Sequence, residues 1–198
     1  MSEVLSISGD KTPSGMPRHA SARERADAGA RPPALWFQSE AVDLGPDAVF
    51  GQYPKHVPRW IARVLHAQPD HVLHVCSGAL PKGQGIRVDL RAAARPDVRA
   101  DGMALPFSDG SVLAVAIDPP YAVEYARDLY GTEYPRPSAL LREASRVVRP
   151  GGRVGMLHFL VPGPVAGLKF ERVFGITTGA GYRIRAFSVF IREQESML

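Results

Sequence analysis

The spacing of apolar residues changes along the chain, and each change predicts a different element. No apolar period is sustained before residue 34. Val57, Ile61, Val64 and Leu65 then recur at helical spacing within VPRWIARVLHA. This spacing predicts one amphipathic helix.

The next part of the chain predicts the strands of a buried sheet. Four β-rich runs are bounded by Gly, Pro or Asp: HVLHVC (71–76), GIRVDL (85–90), DVRA (97–100) and SVLAVAID (111–118). After them, AVEYARDLY and SALLREASRVVRPGG have helical spacing, the second before a Pro-Gly-Gly stop. Three further runs, RVGMLHFLV, FERVFGIT and RIRAFSVFI, predict the last strands.

This alternation predicts an α/β domain with a mainly parallel central sheet. The last two runs are separated by the turn-rich TTGAGY, which indicates an antiparallel, hairpin-like end. Only residues 77–85 separate the first two strands, fewer than the dozen or so that a helical crossover needs. We therefore expect the first crossover to be shortened to a turn.

The length and composition indicate one folded domain and one loose end. The chain has 198 residues, 19 glycines and 18 prolines. Residues 1–33 are rich in Gly, Pro, Ser, Ala and mixed charges, so we expect a disordered tail before a single domain at 34–198. A basic arm that folds on nucleic acid is the alternative for this tail.

Composition also restricts the compartment and the partners. The single cysteine, Cys76, excludes an intramolecular disulfide, and no apolar run approaches the roughly 20 residues that cross a bilayer. We therefore expect a cytoplasmic protein without a membrane partner. Residues 142–192 contain nine Lys or Arg and two acids, whereas residues 86–141 contain six Arg and eight acids. A polyanionic partner beside an acidic pocket is one interpretation, and a solvated basic surface is the other.

Residues at the carboxyl ends of the predicted strands are the candidates for function, because ligands bind there in open α/β sheets. Cys76-Ser77-Gly78 follows the first strand, where the glycine lets the backbone approach a ligand or forms an ordinary turn. Asp89 ends the second strand, where an acid accepts hydrogen bonds from ribose hydroxyls, or is a turn residue.

The end of the fourth predicted strand carries the most specific pattern, Asp118-Pro119-Pro120-Tyr121. The amine of a base is a poor nucleophile, because its lone pair is delocalised into the ring. Acceptors that hold its N–H bonds leave the lone pair aimed at an electrophile. The Asp118 carboxylate and the Pro119 carbonyl are such acceptors, and Tyr121 offers a stacking face for an extruded base. A structural Pro-Pro turn is the alternative.

With these residues the sequence resembles the class I amino-methyltransferases, which make N6-methyladenine or N4-methylcytosine and share a (D/N/S)-P-P-(Y/F/W) motif. The resemblance covers roughly Phe50 to Arg192 and includes ADGMALPFSDGSVLAVAIDPPY, LLREASRVVRPGGRVGMLHF and YPKHVPRWIARVL. It implies a Rossmann-like sheet and S-adenosyl-L-methionine as cofactor. In this family the segment YPKHVPRWIARVL covers the methionine end of the cofactor.

The resemblance also implies roles for individual residues. Asp118 to Tyr121 correspond to the target-amine site, Gly78 lies under the cofactor with Cys76 and Ser77, and Asp89 binds the ribose. Asp101, Gly102 and Met103 flank the cofactor adenine. The chain departs from the family at His74, where an acid is usual, and at Ala79-Leu80, where a second glycine is usual.

The implied function is methylation of a base in nucleic acid, with adenine N6 in DNA as first choice. Guanine N2 or adenine in RNA is the alternative, and a non-catalytic binding module or a small-molecule methyltransferase follows. No sizeable recognition segment fits between Tyr121 and Gly151, so we expect loose sequence specificity, a single-stranded substrate or a partner protein for target recognition. We expect no metal site at His66, His71 and His74, where packing is the better interpretation. His158-Phe159 is a weaker candidate for contact with the base.

Overall fold

The structure is a computed structural model that describes residue 53 and residues 57–177 and 183–194. The predicted tail at 1–33 and its boundary at residue 34 lie outside these residues. The strands are β1 (Val72–Val75), β2 (Ile86–Asp89), β3 (Val98–Arg99), β4 (Val112–Ile117), β5 (Val148–His158), β6 (Leu168–Ile176) and β7 (Arg185–Arg192). The α-helices are α1 (Val57–Val64), α2 (Val123–Tyr130) and α3 (Pro137–Val147).

Seven strands form one sheet in the order β3-β2-β1-β4-β5-β7-β6. The first five of these positions are parallel, and β7 is antiparallel to both β5 and β6. The predicted α/β class and its antiparallel end are therefore confirmed. The pattern of residues did not predict that β7 lies between β5 and β6.

Helices cover both faces of the central strands, which explains why β1 and β4 are almost continuously buried. Neighbouring residues in one strand enter opposite cores: Val72 packs in the cluster that contains Ile61 of α1, whereas Leu73 packs with Leu140 and Leu141 of α3. All five side chains are almost completely buried. Among the described residues, no helix has the length and apolar character required to span a bilayer.

The short first crossover is confirmed, since no helix lies between β1 and β2. The side chain of Leu80 in this crossover is buried, and its carbonyl accepts a hydrogen bond from Arg87 Nη1 at 3.2 Å. Gly85 has a φ of +114°, and a Cβ there would lie 2.4 Å from the Val72 carbonyl oxygen. Only glycine allows the chain to re-enter the sheet so directly.

The junction between α3 and β5 differs from its prediction. Arg153 was the expected start of the strand, but Val148 already pairs with Val112, and the next pair joins Arg153 to Ala114 across a bulge. Pro150 explains the early end of the helix, because a proline disfavours helical geometry in the residue before it. The predicted Pro-Gly-Gly stop is therefore part of β5.

Candidate active site

The carboxyl ends of β1 to β4 meet at one edge of the sheet, where a cleft of about 260 Å³ opens. Six of the seven predicted cofactor residues line it: Cys76, Gly78, Asp89, Asp101, Gly102 and Met103. Asp118 and Pro120 line it as well. The seventh, Ser77, is buried outside this lining, and its Oγ has no hydrogen-bond partner in the described part of the chain.

Asp89 joins the loop after β1 to the end of β2. The carboxylate is buried, and its Oδ2 accepts a hydrogen bond from the Gly78 N–H at 2.9 Å. Its Oδ1 accepts from the Arg91 N–H at 2.9 Å and from Arg91 Nε at 3.2 Å. The predicted ribose acceptor is thus at the cleft with its oxygens already engaged by Arg91.

Arg91 and Tyr130 were not predicted as site residues. The Arg91 guanidinium lies 4.7 Å from the centre of the Tyr130 ring, and both residues line the cleft. A cation two positions after a strand-end acid was an available signal for Arg91. Tyr130 had no such signal, because the end of α2 reaches the cleft only through the fold.

The loop after β3 is shaped by Asp101 and Gly102. Asp101 Oδ1 accepts a hydrogen bond from the Met103 N–H at 2.8 Å, which closes a turn around Gly102. A Cβ on Gly102 would lie 2.6 Å from Val75 Cγ1 and 2.9 Å from Leu140 Cδ2. The glycine therefore lets this loop lie directly against β1 and α3.

Asp118 lies at the end of β4, between the cleft and a group of rings. Tyr121 Oη donates a hydrogen bond to Asp118 Oδ1 at 2.6 Å. Burial raises the pKa of Asp118 to about 6, against the lowering effects of the Tyr121 hydrogen bond and the Arg185 charge. The carboxylate is thus mostly ionised at neutral pH and still close to its point of protonation.

The ring of Tyr121 packs in a group of aromatic side chains. Its centre lies 4.6 Å from that of Phe159, at a tilted angle, and 5.5 Å from that of His158, edge to face. Arg185 Nη1 donates to Tyr121 Oη at 3.4 Å, and the Arg183 guanidinium lies 5.5 Å from the Phe159 ring centre. In this structure the Tyr121 hydroxyl is bonded to Asp118. The stacking of a base on the Tyr121 ring stays a prediction.

His158 is held in one orientation at the end of β5. Its Nδ1 accepts a hydrogen bond from the Leu160 N–H at 3.0 Å, so the proton of the neutral ring is assigned to Nε2. Nε2 lies 3.3 Å from Tyr134 Oη. Burial lowers the pKa of His158, which favours the neutral ring. Of the three histidines considered for a metal, His74 is buried, whereas His66 and His71 are exposed.

Tyr53 adds a buried hydroxyl that the sequence did not single out. Its side chain is 5% exposed, and Oη has no hydrogen-bond partner among the described residues. Burial raises the pKa of Tyr53, and the nearby Asp118 carboxylate raises it further. Its place in the segment YPKHVPRWIARVL was the only available signal.

Comparison with solved structures identifies the fold. The chain is similar to TrmN from Thermus thermophilus, with 20% identity, a TM-score of 0.52, and coverage of 74% of this chain and 51% of TrmN. The chain has a Rossmann-like methyltransferase fold. It spans about half the length of TrmN. A SAM-dependent methyltransferase from Aquifex aeolicus is also similar, with 14% identity, a TM-score of 0.44, and coverage of 68% and 89%. The sequence matches no protein-family model.

Within this methyltransferase fold, charge divides the two sides of Asp118. The cleft side carries Asp89, Asp101 and Glu133 in its lining, with Arg91 as a cation. The ring side carries Arg183 and Arg185 beside Phe159 and Tyr121. The predicted acidic pocket and basic C-terminal third thus meet at Asp118.

Proposed function

We propose that the protein is an S-adenosyl-L-methionine-dependent methyltransferase that acts on the exocyclic amino group of a nucleic-acid base. One observation carries the proposal. The Asp118 carboxylate borders the cleft at the strand ends. On its other side it accepts a hydrogen bond from Tyr121, which packs among aromatic rings beside Arg185. An acceptor in this position faces a donor of methyl groups on one side and a planar amine on the other.

The residues of the cleft suit S-adenosyl-L-methionine. Asp89 would accept the ribose hydroxyls once the Arg91 side chain has moved. Gly78 has no side chain, so the cofactor would lie close to the protein backbone there. Asp101 and Met103 would border the adenine. When bound, the cofactor supplies an electrophilic methyl group on a sulfonium. Apolar lining residues complete this part of the cleft: Leu90, Ala100, Pro135 and Leu140.

The contribution of the protein to the reaction is to hold and orient the amine. The Asp118 carboxylate and the Pro119 carbonyl accept the two N–H bonds, which leaves the nitrogen lone pair directed at the methyl group. Tyr121 Oη must yield its place on Asp118 Oδ1 for this to occur. Orientation of this kind is worth up to roughly 7–11 kcal/mol of the barrier. As the nitrogen takes the methyl group, the carbon–sulfur bond of the bound cofactor would break with its electron pair left on sulfur, giving S-adenosyl-L-homocysteine. The amine proton would pass to the Asp118 carboxylate and from there to solvent.

The substrate that we favour is adenine N6 in DNA, because Asp118 to Tyr121 resemble the form of the motif that is common among adenine enzymes. Guanine N2 or adenine in RNA is the second candidate. Arg183 beside Phe159 supports either polyanion, since a cation next to a partly exposed ring can contact both phosphate and base.

Two measurements test the proposal. Calorimetric titration of the full chain with S-adenosyl-L-methionine should show binding at a single site. The protein is then incubated with the cofactor and unmethylated DNA or RNA, and the nucleic acid is digested to nucleosides for mass spectrometry. N6-methyladenine in DNA is expected, and a methylated RNA nucleoside would support the second candidate. Absence of cofactor binding would overturn the proposal in favour of a non-catalytic module.

A further inference from the structure

We infer that Arg185 is a positioning residue for the proposed methyl transfer, which holds the Tyr121 hydroxyl on Asp118 and keeps the acceptor carboxylate charged before a base arrives. The inference rests on the proposed function. No sequence motif suggested a role for Arg185, which lies 67 positions after Asp118 along the chain.

The topology brings Arg185 to the site. It is the first residue of β7, and the next residue, Ala186, pairs with His158 at the end of β5. Since β7 is antiparallel to β5, the start of β7 lies at the edge where the parallel strands end. Asp118 follows β4, the other neighbour of β5, at the same edge.

The hydrogen bonds form a directed series. Arg185 Nη1 donates to Tyr121 Oη at 3.4 Å, and Tyr121 Oη donates its only proton to Asp118 Oδ1 at 2.6 Å. A guanidinium has donors and no acceptor, so it orients the phenol with its proton towards the carboxylate. His158 and Phe159 pack on the Tyr121 ring and limit its other orientations.

Charged groups lie on both sides of Asp118: the cleft lining contains Asp89, Asp101, Glu133 and Arg91, and the ring side contains Arg185. The titratable groups that interact with Asp118 are Tyr53 before α1, Cys76 after β1, Tyr121, Tyr130 of α2 and Arg185. Burial raises the pKa of both Cys76 and Tyr53, so these groups are neutral at pH 7. Among the described residues, Arg185 is the one cation that lowers the pKa of Asp118.

Loss of Arg185 should therefore raise the pKa of Asp118. Burial, now opposed by less positive charge, would raise the pKa of Asp118 from about 6 towards or beyond neutrality. A protonated carboxyl has a donor where the amine requires an acceptor. Turnover would fall near pH 7 and recover as the pH rises.

The test compares Arg185→Met and Arg185→Gln with a matched control, Arg183→Met, which removes an exposed cation two positions earlier. The pKa of Asp118 is measured by ¹³C carboxyl NMR in the unliganded protein, with Asp118→Asn for assignment. We expect an increase of about one unit or more in both Arg185 variants and none in the control. The acid limb of kcat/KM should move by the same amount, with cofactor affinity changed less than twofold.

A double-mutant cycle with Tyr121→Phe tests whether Arg185 acts through the phenol. We expect the combined shift to be smaller than the sum of the single shifts, because both variants interrupt one series of bonds. Titration of Asp118 that is unchanged in Arg185→Met and Arg185→Gln would overturn this inference alone, as would a loss of turnover that is equal at every pH. A wild-type protein that binds no S-adenosyl-L-methionine would overturn the proposed function as well.

Discussion

At the scale of single residues, the site depends on what surrounds each carboxylate. Asp89 and Asp118 both end strands and both border the same cleft, yet their surroundings differ. Asp89 receives N–H bonds from Gly78 and Arg91. Within the described residues, Asp118 accepts a side-chain hydrogen bond from the Tyr121 phenol, and burial raises its pKa to about 6. In the proposed function, the first arrangement keeps Asp89 bonded to the Gly78 N–H while the Arg91 side chain gives way to ribose hydroxyls. The second leaves Asp118 with a phenol to exchange for an amine.

Asp118→Ala should reduce turnover by roughly 100-fold or more, because in the proposed mechanism it removes the acceptor that holds the amine in the transition state. Cofactor affinity should stay nearly intact, since Asp89 and Asp101 are unchanged. The measurement is methyl transfer to DNA or RNA beside calorimetry with S-adenosyl-L-methionine. Asp128→Ala, which removes an exposed acid on α2, is the control and should keep wild-type turnover. Full methylation by Asp118→Ala would contradict the assignment.

Whether the sequence pointed to a residue of the candidate site depended on the chemistry of that residue. Acids at strand ends stand out in a sequence because a charged group interrupts an apolar run, and so Asp89 and Asp118 were predicted as candidates. Tyr53 and Arg185 were not, since each reaches the site through tertiary packing. The hydroxyl of Tyr121 on Asp118 also could not be predicted, because side-chain hydrogen bonds depend on rotamers that a sequence does not specify.

At the scale of elements, the short crossover between β1 and β2 is held by a pair of charges. Arg87 Nη2 and Nε bond both oxygens of Asp97 at 2.9 and 3.0 Å, while Nη1 bonds the Leu80 carbonyl. Arg87 is 8% exposed, so loss of its partner would leave a buried cation unpaired. Through the Leu80 carbonyl, Arg87 thus links the crossover to the Asp97 carboxylate.

This pair predicts a dependence of stability on acid pH. The Arg87 hydrogen bonds lower the pKa of Asp97 from 3.8 to about 2. Because the folded pKa is below the unfolded one, the stabilisation is present above pH 4 and is lost as the pH falls through 2. Asp97→Asn should lower the free energy of unfolding by about 1–2 kcal/mol at pH 7, after screening of this partly exposed group. Urea denaturation at pH 7 and pH 2.5 measures it. A difference between variant and wild type that does not shrink at pH 2.5 would contradict the prediction.

The contact between β5 and β7 depends on a glycine. A Cβ on Gly155 would lie 2.3 Å from Phe187 Cζ, and both residues are buried. Gly155→Ala should therefore lower the free energy of unfolding by about 1–3 kcal/mol through overpacking. Gly163→Ala is the control, because a Cβ there meets nothing within 4 Å. Equal denaturation midpoints for the two variants would show that the ring moves aside freely.

Predictability at this scale was high for strands and lower for their junctions. Runs of apolar residues bounded by Gly, Pro or Asp placed each strand, because a buried sheet requires continuous apolar side chains. The start of β5 was wrong, since Val148 also fitted the apolar face of α3. Val148 fits both the helical and the strand spacing. Its pairing with Val112 places it in β5, and that long-range pairing is not visible in the local sequence.

At the scale of the whole molecule, the order of the strands creates the site. Placing β7 between β5 and β6 brings Arg185 to the edge where β4 ends, so a basic C-terminal segment reaches an acidic cleft. The sequence showed both charge regions but not their meeting, since strand order follows from long-range pairing. This order is also what the comparison with TrmN supports.

The connection between β4 and β5 predicts the form of the substrate. It consists of α2, α3 and short links within residues 118–147. No separate segment in this connection would open a duplex or read a groove. Unpairing a base costs a few kcal/mol, and a single strand avoids that cost. We therefore expect kcat/KM on a single-stranded oligonucleotide to exceed that on its duplex by roughly 10-fold or more, with weak dependence on flanking sequence.

Initial rates on matched single-stranded and duplex oligonucleotides measure this ratio, at one salt concentration because phosphate contacts are screened by salt. The flanking bases are varied around one target adenine in a second series. A duplex preferred over its single strand, together with a fixed recognition sequence, would contradict the expectation. Such a result would mean that residues outside α2 and α3 read the duplex, and the exposed Arg183 and Ile184 before β7 would then be the first positions to substitute.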